Sequence, residues 1–455
     1  MDSREFLDGR VTLHGGDCLK VLAGMPDACV DSVVTDPPYA LVSIVKRFGK
    51  ANAAPAKGNE AYARASAGFM GKQWDTGETA FAVEFWAQVL RVLKPGGHVV
   101  AFSGTRTYHR LAIAIEDAGF EIRDQLAWVY GSGFPKSHDV AKAIDRAAGV
   151  KGEYGEAKTE AHRRYIETGE MRGGRGHDGW QRPWMDDREA VEKAGRQYLP
   201  GSEEARAWQG WGTALKPAWE PIVLGRKPLI GTVANNVIRF GTGALNVDAC
   251  RVGEREKPKV TDAKHGGHDH NTYGKPSGGG KLLPPGRWPA NLAHDGSAEV
   301  LAMFPDSQGS ASGGQSTPKQ IGTSIPLGGV RSTVSHNDSG SAARFFYTAK
   351  ADAVDRIASK HPTVKPVDLM QWLCRMVTPP GGVVLDPFAG TGTTAEAAWR
   401  EGMRCILVER ETDYQADIAR RMELAAFPSK RAAVAKVKGK LRGAEGTPLF
   451  PEVGS

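Results

Sequence analysis

The sequence has no long apolar run, and its first residues contain no apolar segment like the core of a signal peptide. Spanning a bilayer as a helix takes roughly 20 consecutive apolar residues, and secretion requires a shorter apolar core near the N-terminus. The absence of both predicts a cytoplasmic protein with no membrane partner.

Cysteine is scarce, with five residues in a chain of 455, and no two of them lie within three positions of each other. This scatter argues against a disulfide framework and a zinc ribbon, so we expect reduced thiols and no metal. His265-Gly266-Gly267-His268-Asp269-His270 could bind a metal ion. In a glycine-rich stretch, however, a solvated loop is the favoured interpretation.

The charge balance is modestly basic, with 59 Lys and Arg against 52 Asp and Glu, a net charge of +7. Such a surplus suits a polyanionic partner because cationic side chains that neutralise phosphates release condensed counterions. On its own it decides little, since many basic proteins bind no nucleic acid.

Strands and helices alternate in two separate parts of the chain. In residues 1–145 the pattern predicts strands at 30–35, 98–102 and 121–129 and helices at 81–93 and 111–118. In residues 346–427 it predicts helices at 367–377, 393–401 and 412–427 and strands at 382–386 and 405–409. This alternation is typical of an α/β protein with an open, mostly parallel sheet.

The middle of the chain, residues 146–345, is different: it is rich in Gly, Arg, Trp and polar residues. It predicts an inserted, irregular module with short strand candidates at Pro221–Leu224 and Arg344–Tyr347. A basic tail, residues 428–455, ends the chain.

A glycine motif, Asp386-Pro387-Phe388-Ala389-Gly390-Thr391-Gly392-Thr393-Thr394, follows a predicted strand and opens a predicted helix. Glycines at this place let the backbone approach a ligand at the carboxyl edge of a sheet. No Lys follows the second glycine, so the motif is not a P-loop. Glu409 ends the next strand 23 residues later, a spacing that suits ribose hydroxyls. The alternative is a tight strand–helix turn.

A second motif, Asp36-Pro37-Pro38-Tyr39, follows the strand at 30–35. An exocyclic amino group on adenine is a poor nucleophile because its lone pair is delocalised into the ring. A carboxylate and a carbonyl held by rigid prolines can accept its hydrogens, and an aromatic ring can stack on the base. The alternative is a strand-ending turn with a surface tyrosine.

Together the two motifs resemble those of the amino-directed DNA methyltransferases, and their order along the chain resembles the β class of that family. His361-Pro362-Thr363-Val364-Lys365-Pro366 and Gly16-Asp17-Cys18 match further segments of the family. The resemblance covers roughly residues 11–145 and 350–427. It implies a Rossmann-like, seven-stranded sheet, circularly permuted, with residues 146–345 as the target-recognition insert.

The resemblance also implies site residues. The catalytic set would be Asp36, Pro37, Pro38 and Tyr39. The S-adenosylmethionine site would comprise Asp17, Cys18, His361, Thr363, Lys365, Asp386, Pro387, Phe388, Ala389, Gly390, Gly392, Thr393 and Glu409. Within that set, Asp386 would bind the methionine amino group and Glu409 the ribose, while Asp17 and Cys18 would meet the adenine. Thr363 and Lys365 would close over the methionine end.

The implied activity is direct methyl transfer from S-adenosylmethionine to a base flipped out of double-stranded DNA, without a metal. Adenine N6 is preferred because the tetrapeptide begins with Asp36, whereas cytosine-N4 enzymes more often have Ser there. Cytosine-N4 methylation, methylation of RNA or of a protein amide, and a catalytically silent DNA-binding protein are the alternatives. We also expect a homodimer. The loop Leu41–Glu78 is hypothesised to cover the flipped base or contact DNA.

Overall fold

The computed structural model describes most of the chain. The described residues are 2–39, 79–131, 133, 137–168, 188–253, 286–307, 340–349, 355–357, 359, 361 and 363–427. The loop Leu41–Glu78, the histidine cluster 265–270 and the basic tail 428–455 lie outside them. None of the helices in these ranges is long and apolar enough to cross a membrane.

Fourteen strands occur within the described ranges. They are β1 (Asp2–Phe6), β2 (Val11–Gly15), β3 (Val30–Thr35), β4 (Leu93–Phe102), β5 (Glu121–Val129), β6 (Glu153–Ala157), β7 (Arg196–Leu199), β8 (Trp219–Arg226), β9 (Leu292–His294), β10 (Asp306–Ser307), β11 (Gly340–Ser341), β12 (Tyr347–Thr348), β13 (Val383–Asp386) and β14 (Arg404–Glu409).

The α-helices of the described part lie between these strands. They are α1 (Cys18–Gly24), α2 (Val83–Val92), α3 (Tyr108–Asp117), α4 (Val140–Ala147), α5 (Glu160–Thr168), α6 (Arg188–Gly195), α7 (Glu203–Ala207), α8 (Val233–Phe240), α9 (Ala298–Leu301), α10 (Val367–Val377), α11 (Thr393–Arg400) and α12 (Thr412–Ala426). Two short 3-10 helices cover Asp248–Cys250 and Ala342–Phe345.

Ten strands form the main sheet, in the order β1-β2-β14-β13-β3-β4-β8-β5-β9-β12. From β2 to β4 all neighbours are parallel, whereas β8 is antiparallel to both β4 and β5. The run β2-β14-β13-β3-β4-β8-β5 has the expected seven strands. The sheet is nevertheless wider than expected: β1 adds an antiparallel edge, and β9 and β12 are too short to give a periodic signal in the sequence.

Several helices and strands begin or end at other residues than the sequence predicts. Helix α2 ends at Val92, and β4 already begins at Leu93. The Lys94–Gly97 segment lies within β4, where the pairing with β3 is irregular between Val30 and Ser32. The strand candidate Arg344–Tyr347 is wrong, because Ala342–Phe345 is a 3-10 helix and only Tyr347 belongs to β12.

Helices cover both faces of the main sheet. Successive residues of a strand point to opposite faces, so Val33 and Val34 of β3 enter two different apolar clusters. Val34 packs in a cluster with α10 and α11, while Val33 packs in a cluster with α1, α2 and α3. Burial on both faces explains why β3 reads as a continuous apolar and β-branched run.

The central parallel strands end at one edge of the sheet. β3 and β13 are neighbours, with Ser32 opposite Val384 and Val33 opposite Leu385. Asp36 follows β3 and Asp386 ends β13, so the two sequence motifs meet there although they are 350 positions apart. Ligands of open α/β sheets bind at this edge.

Candidate active site

The glycine motif forms the turn between β13 and α11. Gly390 and Gly392 have φ values of +53° and +75°, a region in which side chains other than glycine are strained. Glu409, at the end of β14, accepts a 2.8 Å hydrogen bond from the backbone N–H of Gly390. The turn is therefore tied to the acid that the sequence assigns to the same ligand.

Asp386 is almost fully buried and is held by three hydrogen bonds. Thr35 Oγ1 donates to Oδ1 and Thr394 Oγ1 to Oδ2, each at 2.6 Å, and the backbone N–H of Phe388 donates to Oδ1 at 3.1 Å. Burial raises the pKa of Asp386 to about 6, although the three donors favour its charged form. A carboxylate has about four acceptor positions, so one remains for a cationic ligand group.

Glu409 is buried at the next strand end. Its other oxygen accepts from the backbone N–H of Glu411 at 2.8 Å, and burial raises the pKa of Glu409 to about 7. Each carboxylate oxygen therefore keeps a second lone pair that can accept from a ligand hydroxyl.

The Asp-Pro-Pro-Tyr turn holds a buried ion cluster. Lys365 Nζ donates to Asp36 Oδ2 at 2.7 Å and to the Tyr39 hydroxyl at 3.0 Å, and lies 3.1 Å from Glu220 Oε2. Tyr39 in turn donates to Glu220 Oε2 at 2.9 Å. Burial lowers the pKa of Lys365, but the charges of Asp36 and Glu220 outweigh this and raise it overall. Lys365 is therefore a cation here.

One oxygen of Asp36 has no hydrogen-bond partner among the described residues. Oδ1 is buried and accepts no hydrogen bond from any described residue, while Oδ2 is held by Lys365. Buried carboxylate oxygens are costly unless they are hydrogen-bonded. An unsatisfied acceptor beside a cavity is the feature expected of a carboxylate that awaits a donor from a ligand.

Both motifs line one cavity of about 960 Å³. Every residue assigned to the site from the sequence lines it, with the exception of Gly392. These lining residues are Asp17, Cys18, Asp36, Pro37, Pro38, Tyr39, His361, Thr363, Lys365, Asp386, Pro387, Phe388, Ala389, Gly390, Thr393 and Glu409. Gly392 instead precedes α11 as its N-cap residue and donates its N–H to Ala389 O at 2.8 Å.

The segment before α10 contributes a histidine and a lysine to the cavity. The His361 ring packs edge-on against Tyr414 with centroids 4.6 Å apart, and its Nδ1 accepts from the backbone N–H of Thr363 at 3.3 Å. Burial lowers the pKa of His361, which favours the neutral ring. Lys365 was expected over the methionine end, yet its ammonium contacts the tetrapeptide.

Asp17 and Cys18 begin α1 at the cavity wall. Asp17 accepts a 3.2 Å hydrogen bond from the backbone N–H of Lys20 and so caps the helix. Burial raises the pKa of the Cys18 thiol to about 12, so this thiol is not a nucleophile at neutral pH.

Sequence reasoning missed three polar residues of the site. Thr35 was read only as the end of a strand, Glu220 lies in the irregular middle region, and Thr107 fixes the tetrapeptide by donating to the backbone O of Tyr39 at 2.9 Å. The proximity of Pro221–Leu224, a predicted strand, was the only available signal for Glu220. Tyr130, directly after β5, also lines the cavity, and no sequence signal assigned it a role.

Within the described ranges, no group of three or more His, Cys, Asp or Glu side chains is arranged to hold a metal ion.

The fold and site define an α/β protein with a large ligand cavity at the carboxyl edge of its sheet. The model of the N6/N4 DNA methylase family matches residues 30–420. The chain therefore belongs to this family.

Individual relatives match more narrowly. The type II methyltransferase M2.DpnII of Streptococcus pneumoniae is 40% identical over 70 residues, which cover 15% of this chain and 26% of that protein. The chain thus spans about a quarter of the length of the curated relatives that it matches. The solved PvuII DNA methyltransferase (cytosine-N4-specific) is 14% identical, with 92% of this chain and 90% of that chain covered and a TM-score of 0.39.

Proposed function

We propose that the protein is an S-adenosylmethionine-dependent DNA methyltransferase that modifies the exocyclic amino group of a base, with adenine N6 as the target. Membership of the N6/N4 DNA methylase family supports the reaction class. The observation that carries the proposal is the unpartnered, buried Oδ1 of Asp36 beside a cavity that also contains the glycine motif.

The acceptor groups at the glycine motif fit S-adenosylmethionine. Asp386 has one free acceptor position for the methionine ammonium, Glu409 has lone pairs for ribose hydroxyls, and the turn at Gly390 leaves room beside them. Buried carboxylates also suit a ligand with positive charges on its ammonium and sulfonium groups. When bound, S-adenosylmethionine supplies an electrophilic methyl group.

The tetrapeptide would activate the target nitrogen. Asp36 Oδ1 and the Pro37 carbonyl accept the two amino hydrogens, which returns lone-pair density to the nitrogen for attack on the methyl carbon. Asp36 would also be the acceptor for the proton that the amino nitrogen loses once it is methylated. Tyr39, fixed through its hydroxyl and its backbone oxygen, stacks on the base.

The base must first leave the duplex, because its amino group is paired and buried there. Double-stranded DNA is thus the proposed partner, and the net charge of +7 suits it. The part of the chain between 146 and 345 is proposed as the target-recognition region, and a homodimer as the assembly.

Adenine is preferred to cytosine because Asp36, not Ser, begins the tetrapeptide. Both amino groups need similar acceptors, so N4-methylation of cytosine is the second candidate. A catalytically silent DNA-binding protein is a third, although such a protein would have no need of an unsatisfied acceptor at Asp36.

The test is methyl transfer from labelled S-adenosylmethionine to unmethylated genomic DNA, followed by digestion and mass spectrometry of the nucleosides. We expect N6-methyladenine. N4-methylcytosine would keep the mechanism and correct the base. No labelled nucleoside, from protein shown to bind the cofactor, would overturn the proposal in favour of an RNA or protein substrate or a silent fold.

A further inference from the structure

Glu220 reaches the catalytic turn from the antiparallel strand β8. That strand lies between β4 and β5, with Glu220 opposite Trp128 and Ile222 opposite Phe102. The backbone N–H of Ser103 donates to Pro221 O at 2.9 Å and fixes this end of the strand. Glu220 therefore has a rigid support on both sides.

A single oxygen of Glu220 contacts two residues of the site. Oε2 accepts from the Tyr39 hydroxyl at 2.9 Å and lies 3.1 Å from Lys365 Nζ. The side chains of Lys365 and Glu220 are only 5% and 16% exposed. Charged pairs that are removed from water interact strongly, and the loss of one member leaves the other uncompensated.

Lys365 consequently lies between two carboxylates, Glu220 and Asp36. With both present, the ammonium charge is shared and Asp36 keeps its second oxygen unpartnered. Without the charge of Glu220, the whole ammonium charge would act on Asp36. That would weaken Asp36 as an acceptor for an amino group and draw Oδ1 towards Lys365.

We infer that Glu220 is a positioning residue for methyl transfer: it balances the charge of Lys365 and holds the hydroxyl of Tyr39, so that Asp36 Oδ1 stays available to the target amino group. The inference rests on the proposed function, because it assigns a role within the same reaction. Glu220 itself contacts neither Asp386, Glu409 nor the glycine motif in any described interaction.

The test is Glu220→Gln, which keeps the shape and an accepting oxygen but removes the charge. We expect kcat for methyl transfer to DNA to fall by about tenfold to a hundredfold, the range typical of a lost charge-assisted contact. The dissociation constant for S-adenosylmethionine should stay unchanged. A matched control is Glu121→Gln, which breaks the 2.6 Å ion pair with Arg226 at the other end of the same two strands. It should leave kcat unchanged.

The pH profile gives a second readout. Burial and the charges of Asp36 and Glu220 raise the pKa of Tyr39, and those same charges raise the pKa of Lys365 against its burial. Tyr130, directly after β5, interacts electrostatically with Glu220 and Lys365, and His361 and Asp386 are further titratable groups near Asp36. Loss of the Glu220 charge lowers the pKa of both Lys365 and Tyr39, so the basic limb of kcat should move to lower pH.

A third readout needs no activity. In protein labelled with 13C at tyrosine Cζ, the Tyr39 resonance is identified by its loss in Tyr39→Phe. It should shift in Glu220→Gln and stay in place in Glu121→Gln. In the Lys365→Met background, Glu220→Gln should reduce kcat by a smaller factor than in the wild-type background, because residues that act through each other are not additive.

Four results would overturn the inference. They are an unchanged kcat in Glu220→Gln, a cofactor affinity that falls as much as kcat, a full additive effect in Lys365→Met, and an unmoved Tyr39 resonance. If wild-type protein transferred no methyl group to DNA, the proposed function would fail first. The Tyr39 resonance alone would then decide whether Glu220 makes the contact.

Discussion

Thr35→Val tests how the cofactor carboxylate is kept charged. Thr35 Oγ1 donates to Asp386 Oδ1 at 2.6 Å in a buried setting, and valine has the same shape without the donor. A hydrogen bond to a charged group contributes about 1.5–3 kcal/mol, and one pKa unit corresponds to about 1.36 kcal/mol. The pKa of Asp386, about 6 in the native protein, should therefore rise by about one to two units.

The consequence is a pH-dependent loss of cofactor affinity. At pH 7 the ionised fraction of Asp386 would fall from about nine tenths to between about a half and a tenth, so binding should weaken by about twofold to ninefold. Removal of a donor disfavours the charged form, so the lost affinity should return as the pH rises towards 9. Isothermal titration calorimetry with S-adenosylmethionine across this range measures the effect.

Thr378→Val is the matched control. Thr378 shares a buried 2.7 Å hydrogen bond with Ser32, also on β3, and makes no described contact with Asp386. It should lower stability without a pH-dependent change in affinity. A loss of cofactor affinity in Thr35→Val that is the same at every pH would refute the idea that Thr35 keeps Asp386 charged. An equal loss of affinity in Thr378→Val would refute it too.

Three further substitutions test the glycine turn and its support. Gly390→Ala and Gly381→Ala both place a side chain at positive φ, +53° and +71°, and each should cost about 1–2 kcal/mol of stability in urea denaturation. Only Gly390→Ala should weaken cofactor binding, because Gly390 lines the cavity, whereas Gly381 does not and has open space around it. Equal cofactor affinities in the two variants would contradict a role of the Gly390 turn in cofactor binding. Arg421→Met should lower the free energy of unfolding by about 3–5 kcal/mol, because Arg421 is fully buried and pairs with Glu396 at 2.9 Å. A decrease below about 1 kcal/mol would mean that this ion pair is not buried in solution.

Most central strands and helices of the sheet were predictable from the sequence because they have strong periodic patterns, whereas β1, β2 and α1 were not predicted. The strand at 121–129 and the helix at 367–377 have the predicted bounds. The two motifs were also readable, since each follows a buried strand whose carboxyl end must lie at the ligand edge. In these segments the local hydrophobic pattern and the sheet topology predict the same positions for the strands and motifs.

Contacts between distant segments were not predictable. Thr35 and Asp386 are 351 positions apart, and a threonine at the end of a strand gives no local sign of a partner. The strand at 221–224 was recognised, but nothing in its residues indicated insertion between β4 and β5. The family resemblance assigns Lys365 to the cofactor site, and nothing in its local sequence indicated that its ammonium also contacts the tetrapeptide.

The central claim is that Asp36 supplies the acceptor for the target amino group, while the cofactor is held by other residues of the same cavity. The most direct measurement is therefore Asp36→Ala, compared with the wild type for methyl transfer to DNA and for S-adenosylmethionine affinity. Lys365 keeps Glu220 as a partner in this variant, so the cluster retains a counter-charge. We predict that transfer is abolished and that the dissociation constant of the cofactor changes by less than about twofold. Persistent transfer, or loss of cofactor binding, would contradict the claim.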